Sequence, residues 1–426
     1  MPKLCLAFVL MCGVESSFAV LDWGTIRDAD FSATIDQDLT VKKSDGSTQK
    51  FQTTIEPRWD IDLTNNTRLV GIGRIRVDNE SKLGFSGSNE HVDLEVRELY
   101  VDTQWRSAYL RLGKQQIVWG QADGLRVLDV VNPLDLREFI LPDFEDRRIP
   151  LWTANIEVPV NDVWTAQILW IPDQTYDELP ERDNTYAMTS SLVVPQAPVD
   201  VPVRLMQAKK PQRKIMDSDA GVRFSAFLGG WDVSLNYFYH FQDQAILYRH
   251  YDGGAVSIEP KYERSHLIGG SFSNAFGDTT VRAEIGYSSD RYFLADHRDT
   301  DGIVRSGELS YVLGVDFQGW RDWFISAQIF QSYLTDTSDA AVRDRVDVTA
   351  TVLLQRYFMN EALKAETLVI QHMADNDGLV QASLAYELTT DVQVNIGLDL
   401  FFGSSDGLYG QFKEEDSISF GVEFGF

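Results

Sequence analysis

Short segments in which apolar and polar residues alternate strictly recur along the whole chain, and they constrain the fold more than any other feature. The C-terminal segment, residues 417–426, reads SISFGVEFGF and has an apolar side chain at every second position. Successive side chains of a β-strand point to opposite faces, so this pattern predicts a strand with one apolar and one polar face. The segments VQVNIGLDLF, LSYVLGVDF and VSLNYFYHF follow the same rule. Helical periodicity is scarce, and the chain is therefore predicted to be all-β.

Two classes of protein contain many such strands, soluble β-sandwiches and membrane β-barrels. Inside a bilayer every backbone N–H and C=O needs a partner in the protein, and a closed barrel supplies one without leaving a free edge. Tight turns such as TNN, GG and FGD alternate here with longer connections, and tryptophans lie near the ends of the strands, as in barrels. We predict a transmembrane antiparallel outer-membrane β-barrel of about 18 strands. The alternatives are a barrel of about 16 strands, without the first hairpin, and a soluble sandwich with the tryptophans in its core.

The N-terminal segment, residues 1–19, has the features of a secretory signal peptide. Lys3 precedes an apolar run, and Ser17-Phe18-Ala19 is of the cleavage type. Both cysteines, Cys5 and Cys12, lie in this segment. We expect export through the Sec pathway, a cysteine-free mature chain, and one barrel domain over residues 20–426 in the outer membrane of a Gram-negative cell. A buried N-terminal helix is the alternative.

One connection between strands, residues 120–151, is too apolar for a loop in water, yet it also carries many charges. Long connections of this kind are usually functional. We expect it to fold into the lumen, to lie against the inner wall through ion pairs, and to constrict or plug the barrel. The residues predicted to form this constriction are Arg74, Arg76, Arg97, Arg111, Asp123, Arg126, Asp129, Asp135, Arg137 and Glu138.

A second long connection, residues 172–218, contains VVPQAPVDVPVRLMQ and the basic stretch KKPQRK. We expect a long outer loop. It either caps the outer mouth, contacts the phosphates of lipopolysaccharide, or is a disordered surface segment, and the sequence leaves these readings open.

The formal net charge is −26, and strand parity places acidic and basic residues on different parts of the inner wall. Low-dielectric walls focus the potential of such charges, so an acidic excess attracts cations. We expect a cation-preferring pore, with a neutral pore of paired charges as the alternative. The acidic set is Asp36, Asp38, Glu56, Asp60, Asp62, Glu387, Asp399 and Glu423, and the basic set is Arg68, Arg74, Arg76, Arg97 and Arg111.

Motifs that would indicate an enzyme are missing from the sequence. There is no GxSxG and no zinc or nucleotide motif, and His297 with its neighbouring aspartates is read as a solvated turn rather than a Ca²⁺ site. We therefore predict no catalytic residue, no metal site, no cofactor and no nucleic-acid partner. The function predicted is a channel or transporter for a small solute. A plugged structural or assembly protein is the second interpretation, and a barrel-borne hydrolase is the third.

Two segments resemble known families. LRLGKQQIVWGQADGLRVLDVVNPLDLREF is similar to a proteobacterial group of large outer-membrane barrels of unknown function, in which a GKQ…WG strand end precedes NP.D, and it is more loosely similar to alginate-export-type barrels. The C-terminal segment resembles the last strand of bacterial outer-membrane proteins. That resemblance implies that the barrel-assembly machinery reads this strand and that it closes the barrel against the first strand. The other partners expected are outer-membrane lipid and lipopolysaccharide. The residues of this assembly signal are Phe420, Val422, Phe424 and Phe426.

Overall fold

A computed structural model describes residues 29–80, 91–122, 124–196, 201–252, 254–296, 301–336 and 340–426. Its main feature is one closed antiparallel sheet of 18 strands, in which each strand pairs with its neighbours along the chain. The first strand, β1 (Asp30–Lys42), pairs both with β2 (Thr48–Thr64) and with the last strand, β21 (Ser417–Gly425). The predicted barrel is confirmed. The alternative of about 16 strands is wrong because the first hairpin is part of the wall.

The remaining strands fall into the barrel wall and one small separate sheet. In the small sheet, the second and third strands form a hairpin and the first pairs in parallel with the third. The wall consists of β1, β2, β3 (Thr67–Asp78), β4 (Val92–Trp105), β5 (Ala108–Gln115), β6 (Leu151–Pro159), β7 (Trp164–Ile171), β9 (Asp219–Leu228), β10 (Trp231–Phe241), β13 (Arg264–Phe276), β14 (Thr279–Leu294), β15 (Ile303–Phe317), β16 (Trp323–Leu334), β17 (Val346–Phe358), β18 (Leu363–His372), β19 (Asp377–Thr389), β20 (Val392–Phe402) and β21, and the small sheet of β8 (Val203–Leu205), β11 (Ile246–Asp252) and β12 (Ala255–Lys261).

The alternation in sequence becomes the difference between the two faces of the wall. In β10, Leu235 and Tyr237 are exposed on the outside, whereas Ser234, Asn236 and Phe238 are buried on the lumen side. An apolar outer surface combined with a mostly polar inner one is the arrangement that a lipid-facing barrel requires.

The two ends of the barrel differ. One end, the turn end, holds the first residues of β1, the chain terminus after β21, and tight turns such as Gly229-Gly230, where both residues have positive φ (58° and 92°) that favours glycine. The other end, the loop end, holds the long connections. A one-turn helix, Phe144–Arg147, lies in one of them. Among the described residues, no helix is long and apolar enough to cross a bilayer.

Three predicted features lie outside the described residues: the signal peptide, Asp123, and His297 itself. The connection predicted at residues 120–151 begins earlier than expected, since the strand before it, β5, ends at Gln115. Gln115 is fully buried, and its amide donates to the carbonyls of Arg111, Gly113 and Thr153. These bonds end the regular wall, and the chain turns into the lumen.

Candidate pore constriction

The connection between β5 and β6, residues 116–150, lies inside the barrel, and we call it the lumen loop. Its first part forms an apolar cluster, the apolar foot, that packs on inward-facing side chains of the wall. Trp119 lies edge-on to Phe238, with 5.6 Å between ring centroids, and its indole N–H donates to Gln167 at 2.8 Å. The apolar foot is Ile117, Trp119, Val127, Leu128 and Val131, and it contacts Leu151, Leu169, Ile171, Phe238, Leu267 and Val312.

Wall glycines provide the recesses that this foot occupies. A Cβ at Gly221 would lie 2.6 Å from the indole of Trp119, and one at Gly269 would lie 2.6 Å from Leu128. Side chains at these two positions would therefore push the foot off the wall.

A buried carboxylate holds the same part of the loop through its backbone. Glu284 of β14 accepts hydrogen bonds from the amides of Gln121, Ala122 (3.0 Å) and Leu128 (3.3 Å). The amides would otherwise lack partners inside the lumen, where an unsatisfied donor is costly.

The middle of the loop reaches the opposite wall. Phe139 packs in an aromatic cluster with Phe412 at 4.8 Å and Tyr409 at 5.7 Å between ring centroids. Ile370, Leu379 and Phe401 come to this cluster from β18, β19 and β20. The lumen loop therefore crosses the barrel from the β6–β15 side to the β18–β20 side.

The long connection 172–218 also contacts the lumen loop and the opposite wall. Leu136 N–H donates to the carbonyl of Glu178 at 2.8 Å, and Glu178 N–H donates to Leu134 at 2.9 Å. Tyr186 joins the aromatic cluster, and Ser191 donates to Asp406 beyond β20. Residues 176–191 thus cross the mouth above the lumen loop.

The last part of the lumen loop turns a charged side, the charged edge, toward β1–β4. Arg76 contacts Asp135 at 3.2 Å, Arg74 contacts Asp146 at 2.7 Å, and Arg97 donates to the carbonyl of Glu145 at 2.8 Å. The Lys50 ammonium contacts both Glu138 at 3.0 Å and Asp38 of β1 at 3.7 Å. The charged edge is Asp135, Arg137, Glu138, Asp143 and Asp146.

The other predicted constriction residues lie elsewhere. Asp129 pairs with Arg148 at 2.7 Å inside the loop, and Arg126 donates to the carbonyls of Asp129 and Asn132. Arg111 pairs with Asp102 at 2.6 Å toward the turn end, not with the loop.

Burial and neighbouring charges both shift the pKa values of ionisable groups in the lumen loop. Burial opposes the ionisation of Asp135, but hydrogen bonds from Arg137 and the charge of Arg76 outweigh it and hold the pKa of this carboxyl below its usual range. Burial raises the pKa of Asp143, and Asp146 raises it further. Burial also lowers the pKa of Arg147 to about 10, so this guanidinium stays charged at neutral pH.

Cavities lie on both sides of the charged edge. One of ≈ 500 Å³ separates it from β1, β2, β3, β20 and β21, and a neighbour of ≈ 180 Å³ shares Arg74, Arg76, Asp135 and Asp146 with it. Two more, of ≈ 510 Å³ and ≈ 610 Å³, lie toward the turn end and share Arg111, Asn155 and Glu157. The charged groups that line the ≈ 500 Å³ cavity are nine acids, Asp36, Asp38, Glu56, Asp135, Glu138, Asp143, Asp146, Asp399 and Glu423, and five bases, Lys50, Arg74, Arg76, Arg137 and Arg147.

Known proteins share the fold of this barrel. The OccK2 (OpdF) structure of Pseudomonas aeruginosa in complex with glucuronate is 10% identical, with a TM-score of 0.53 over 94% of this chain and 98% of that one. OpdK of the same organism, with vanillate, is 10% identical, with a TM-score of 0.51 over 94% and 99%. OccAB3 of Acinetobacter baumannii is 9% identical, with a TM-score of 0.53 over 94% and 99%. No curated protein sequence matches the chain.

The family described as "Protein of unknown function (DUF1302)" matches residues 28–426, so the chain belongs to it. This confirms the resemblance read from the GKQ…WG segment.

Proposed function

We propose that this member of the DUF1302 family is an outer-membrane channel that passes a small solute through the gap between the charged edge and the β1–β3 wall. The observation that carries the proposal is the ≈ 500 Å³ cavity between the charged edge and this wall. A second cavity adjoins it at the charged edge, and a third lies toward the turn end. A loop fixed on two opposite walls, with a polar gap on one side, narrows a barrel without having to fill it.

The charge of the gap supports a preference for cations. Its lining has nine acidic groups and five basic ones. Lys50, Arg74 and Arg76 of the wall each contact an acid of the charged edge. The acidic excess therefore lies on the side of Asp36, Asp399 and Glu423. Glucuronate and vanillate, in the OccK2 and OpdK structures, are anions. The acidic excess here favours a solute that is positively charged or has a cationic group.

A plugged structural or assembly protein is the second candidate, and a specific observation favours it. Two apolar clusters and the crossing segment 176–191 fill much of the loop end. In that case the gap would hold water but pass no current. A non-enzymatic role underlies both candidates.

Single-channel recording in a planar bilayer decides between the two. The full chain should give steady current, and deletion of residues 124–146 should increase the conductance severalfold, because it removes the charged edge from the gap. Deletion of residues 207–214, an exposed stretch of the other connection, is the matched control and should leave the conductance unchanged. If neither the full chain nor the 124–146 deletion gives a current, the result would contradict the channel and support the plugged scaffold.

The proposal includes a location and partners. Phe420 and Phe424 are each 45% exposed on the outside of β21, where lipid and the barrel-assembly machinery would contact them. Lys210 and Lys214 are exposed at the loop end, a position that suits lipopolysaccharide phosphates. Recovery in the outer-membrane fraction, with the slower migration on heating that is typical of barrels, checks the location.

A further inference from the structure

A histidine at the loop end lies among three carboxylates. His372, the last residue of β18, contacts Asp347 of β17 through Nε2 at 2.8 Å. Its Nδ1 lies 3.0 Å from Asp377 and 3.5 Å from Asp375. No metal site was predicted here from the sequence, which contains no zinc motif.

The two sides of the imidazole are arranged differently. On the Nδ1 side, ligand atoms of His372, Asp375 and Asp377 all lie within 4.8 Å of one another. In a tetrahedral zinc site, with metal–ligand bonds of about 2.0–2.2 Å, neighbouring ligand atoms are separated by about 3.4 Å. The distances of 3.0 Å and 3.5 Å from Nδ1 bracket this value.

The surrounding contacts are those that orient metal ligands. Asp347 accepts from the Nε2 side of the ring, which is the carboxylate–histidine arrangement that fixes the tautomer of a metal-bound imidazole. The second oxygen of Asp377 accepts hydrogen bonds from the amides of Tyr409 (2.6 Å) and Gly410 (3.0 Å). Asp377 is fully buried, whereas the side chain of Asp375 is 35% exposed and gives access from outside.

We propose that this cluster binds a first-row divalent cation such as Zn²⁺ through His372 Nδ1, Asp375 and Asp377, with water in the fourth position. Imidazole nitrogen with carboxylate oxygen suits this class of metal better than Ca²⁺, which prefers oxygen ligands throughout. In the absence of metal the same geometry holds an imidazolium between carboxylates, and the metal replaces the Nδ1 proton.

The site would connect the rim of the barrel to the constriction. Asp377 holds the backbone of Tyr409 and Gly410, and Tyr409 packs against Phe139 of the lumen loop. Bound metal would fix β17–β19 and the connection 403–416 together. The inference does not depend on whether the barrel conducts.

Titration calorimetry of the folded full chain with ZnCl₂, after treatment with a chelator, tests the proposal. One site per chain is expected. Its affinity should rise with pH, by up to about tenfold per pH unit, since the metal displaces one proton from Nδ1. Asp375→Asn should abolish binding. Asp347→Asn should weaken it about 10–100-fold, as loss of an orienting carboxylate does elsewhere.

The controls separate this site from adventitious binding. Asp344→Asn changes an exposed acid of the same rim that is not in the ligand set, and it should bind zinc like the parent. Co²⁺ should give the visible absorption of a tetrahedral site in the parent and none in Asp375→Asn. Asp375 lies in an exposed turn, so this variant should keep the heat-dependent gel shift of a folded barrel. Equal zinc binding by the parent and Asp375→Asn, or no binding by the parent, would overturn the proposal.

Discussion

The apolar foot and the charged edge belong to one loop, yet the foot contacts the wall through buried apolar side chains and the edge through ion pairs. Trp119 and Leu128 of the foot are fully buried in glycine recesses on β9 and β13. Asp135 and Asp146 of the edge pair with arginines of the wall beside a gap that is lined by further charges. Burial of apolar surface does not depend on salt, whereas pairs beside water are screened by it.

The difference indicates that the foot and the edge have different roles. The foot carries the free energy that keeps the loop inside the barrel, and the edge sets the electrostatic potential of the gap. Changes in the foot should therefore affect loop position at any ionic strength. Changes in the edge should affect ion selectivity most strongly at low salt.

The largest effect is expected from Trp119→Ala. Removal of a fully buried tryptophan from a packed site costs about 3–5 kcal/mol. The wall keeps its own backbone pairing, so the loss should appear as release of the loop rather than as unfolding of the barrel. Since about 1.4 kcal/mol is a factor of ten, trypsin cleavage after Arg126 or Arg137 in folded protein should accelerate at least about 100-fold.

Trp320→Ala, at an exposed turn-end tryptophan, is the matched control and should leave cleavage slow. The acceleration in Trp119→Ala should be the same at low and high salt. An unchanged cleavage rate in Trp119→Ala would show that the foot does not hold the loop.

A smaller effect is expected at the edge, where Lys50 contacts Glu138 and Asp38. Lys50→Gln leaves two carboxylates facing the gap, so the reversal potential in a KCl gradient should shift toward stronger cation preference. Glu138→Gln should shift it the other way, and the double variant should return close to the parent. All three shifts should shrink between 0.1 M and 1 M salt, as the Debye length falls from ~10 Å to ~3 Å.

A shift of Lys50→Gln toward anions would contradict the assignment of this gap as the conducting path. A reversal potential near zero in the parent protein would favour the alternative from the sequence, a neutral pore in which the charges are paired.

The wall was predictable from sequence because lipid and water impose a period of two on every strand and tight turns separate the segments. The end of β5 was not, because it depends on the Gln115 amide reaching the carbonyl of Thr153 on β6, a residue distant in sequence.

The constriction was predictable in part. The composition of residues 120–151 indicated an inserted loop, and Asp135 and Glu138 do face wall cations. Lys50, Glu284 and the recess at Gly221 were missed, since only the register of the closed barrel brings them to the loop. An isolated acid in the lumen face of β14 was the one available signal for Glu284.

A carboxyl pair, Asp177 and Asp243, lies where the lumen loop, the connection 172–218 and the connection after β10 meet. Asp177 N–H donates to the carbonyl of Asp243 at 3.1 Å, and the carboxylate of Asp177 accepts from Leu134 N–H of the lumen loop at 2.7 Å. Arg126 lies 3.7 Å from the Asp243 carboxylate, and Arg291 and Asp219 also face the pair. Burial raises the pKa of both carboxyls, and the charge of Asp177 raises that of Asp243 further.

The smallest effect is therefore expected from pH. A carboxyl whose pKa is raised in the docked state stabilises docking fully below its ordinary pKa of about 4, and this contribution is lost as the pH rises through the raised value. Asp135, with a lowered pKa, has the opposite sign and loses its contribution only in acid. In single-channel recordings, the lumen loop should therefore leave its docked position more often as the pH rises above about 4, because its docking weakens by no more than about 1.4 kcal/mol per pH unit for one proton until the raised pKa is passed. Asp243→Asn should flatten this dependence, whereas Asp391→Asn, at an exposed turn-end acid, should retain it. A dependence that survives in Asp243→Asn would place the titrating group elsewhere.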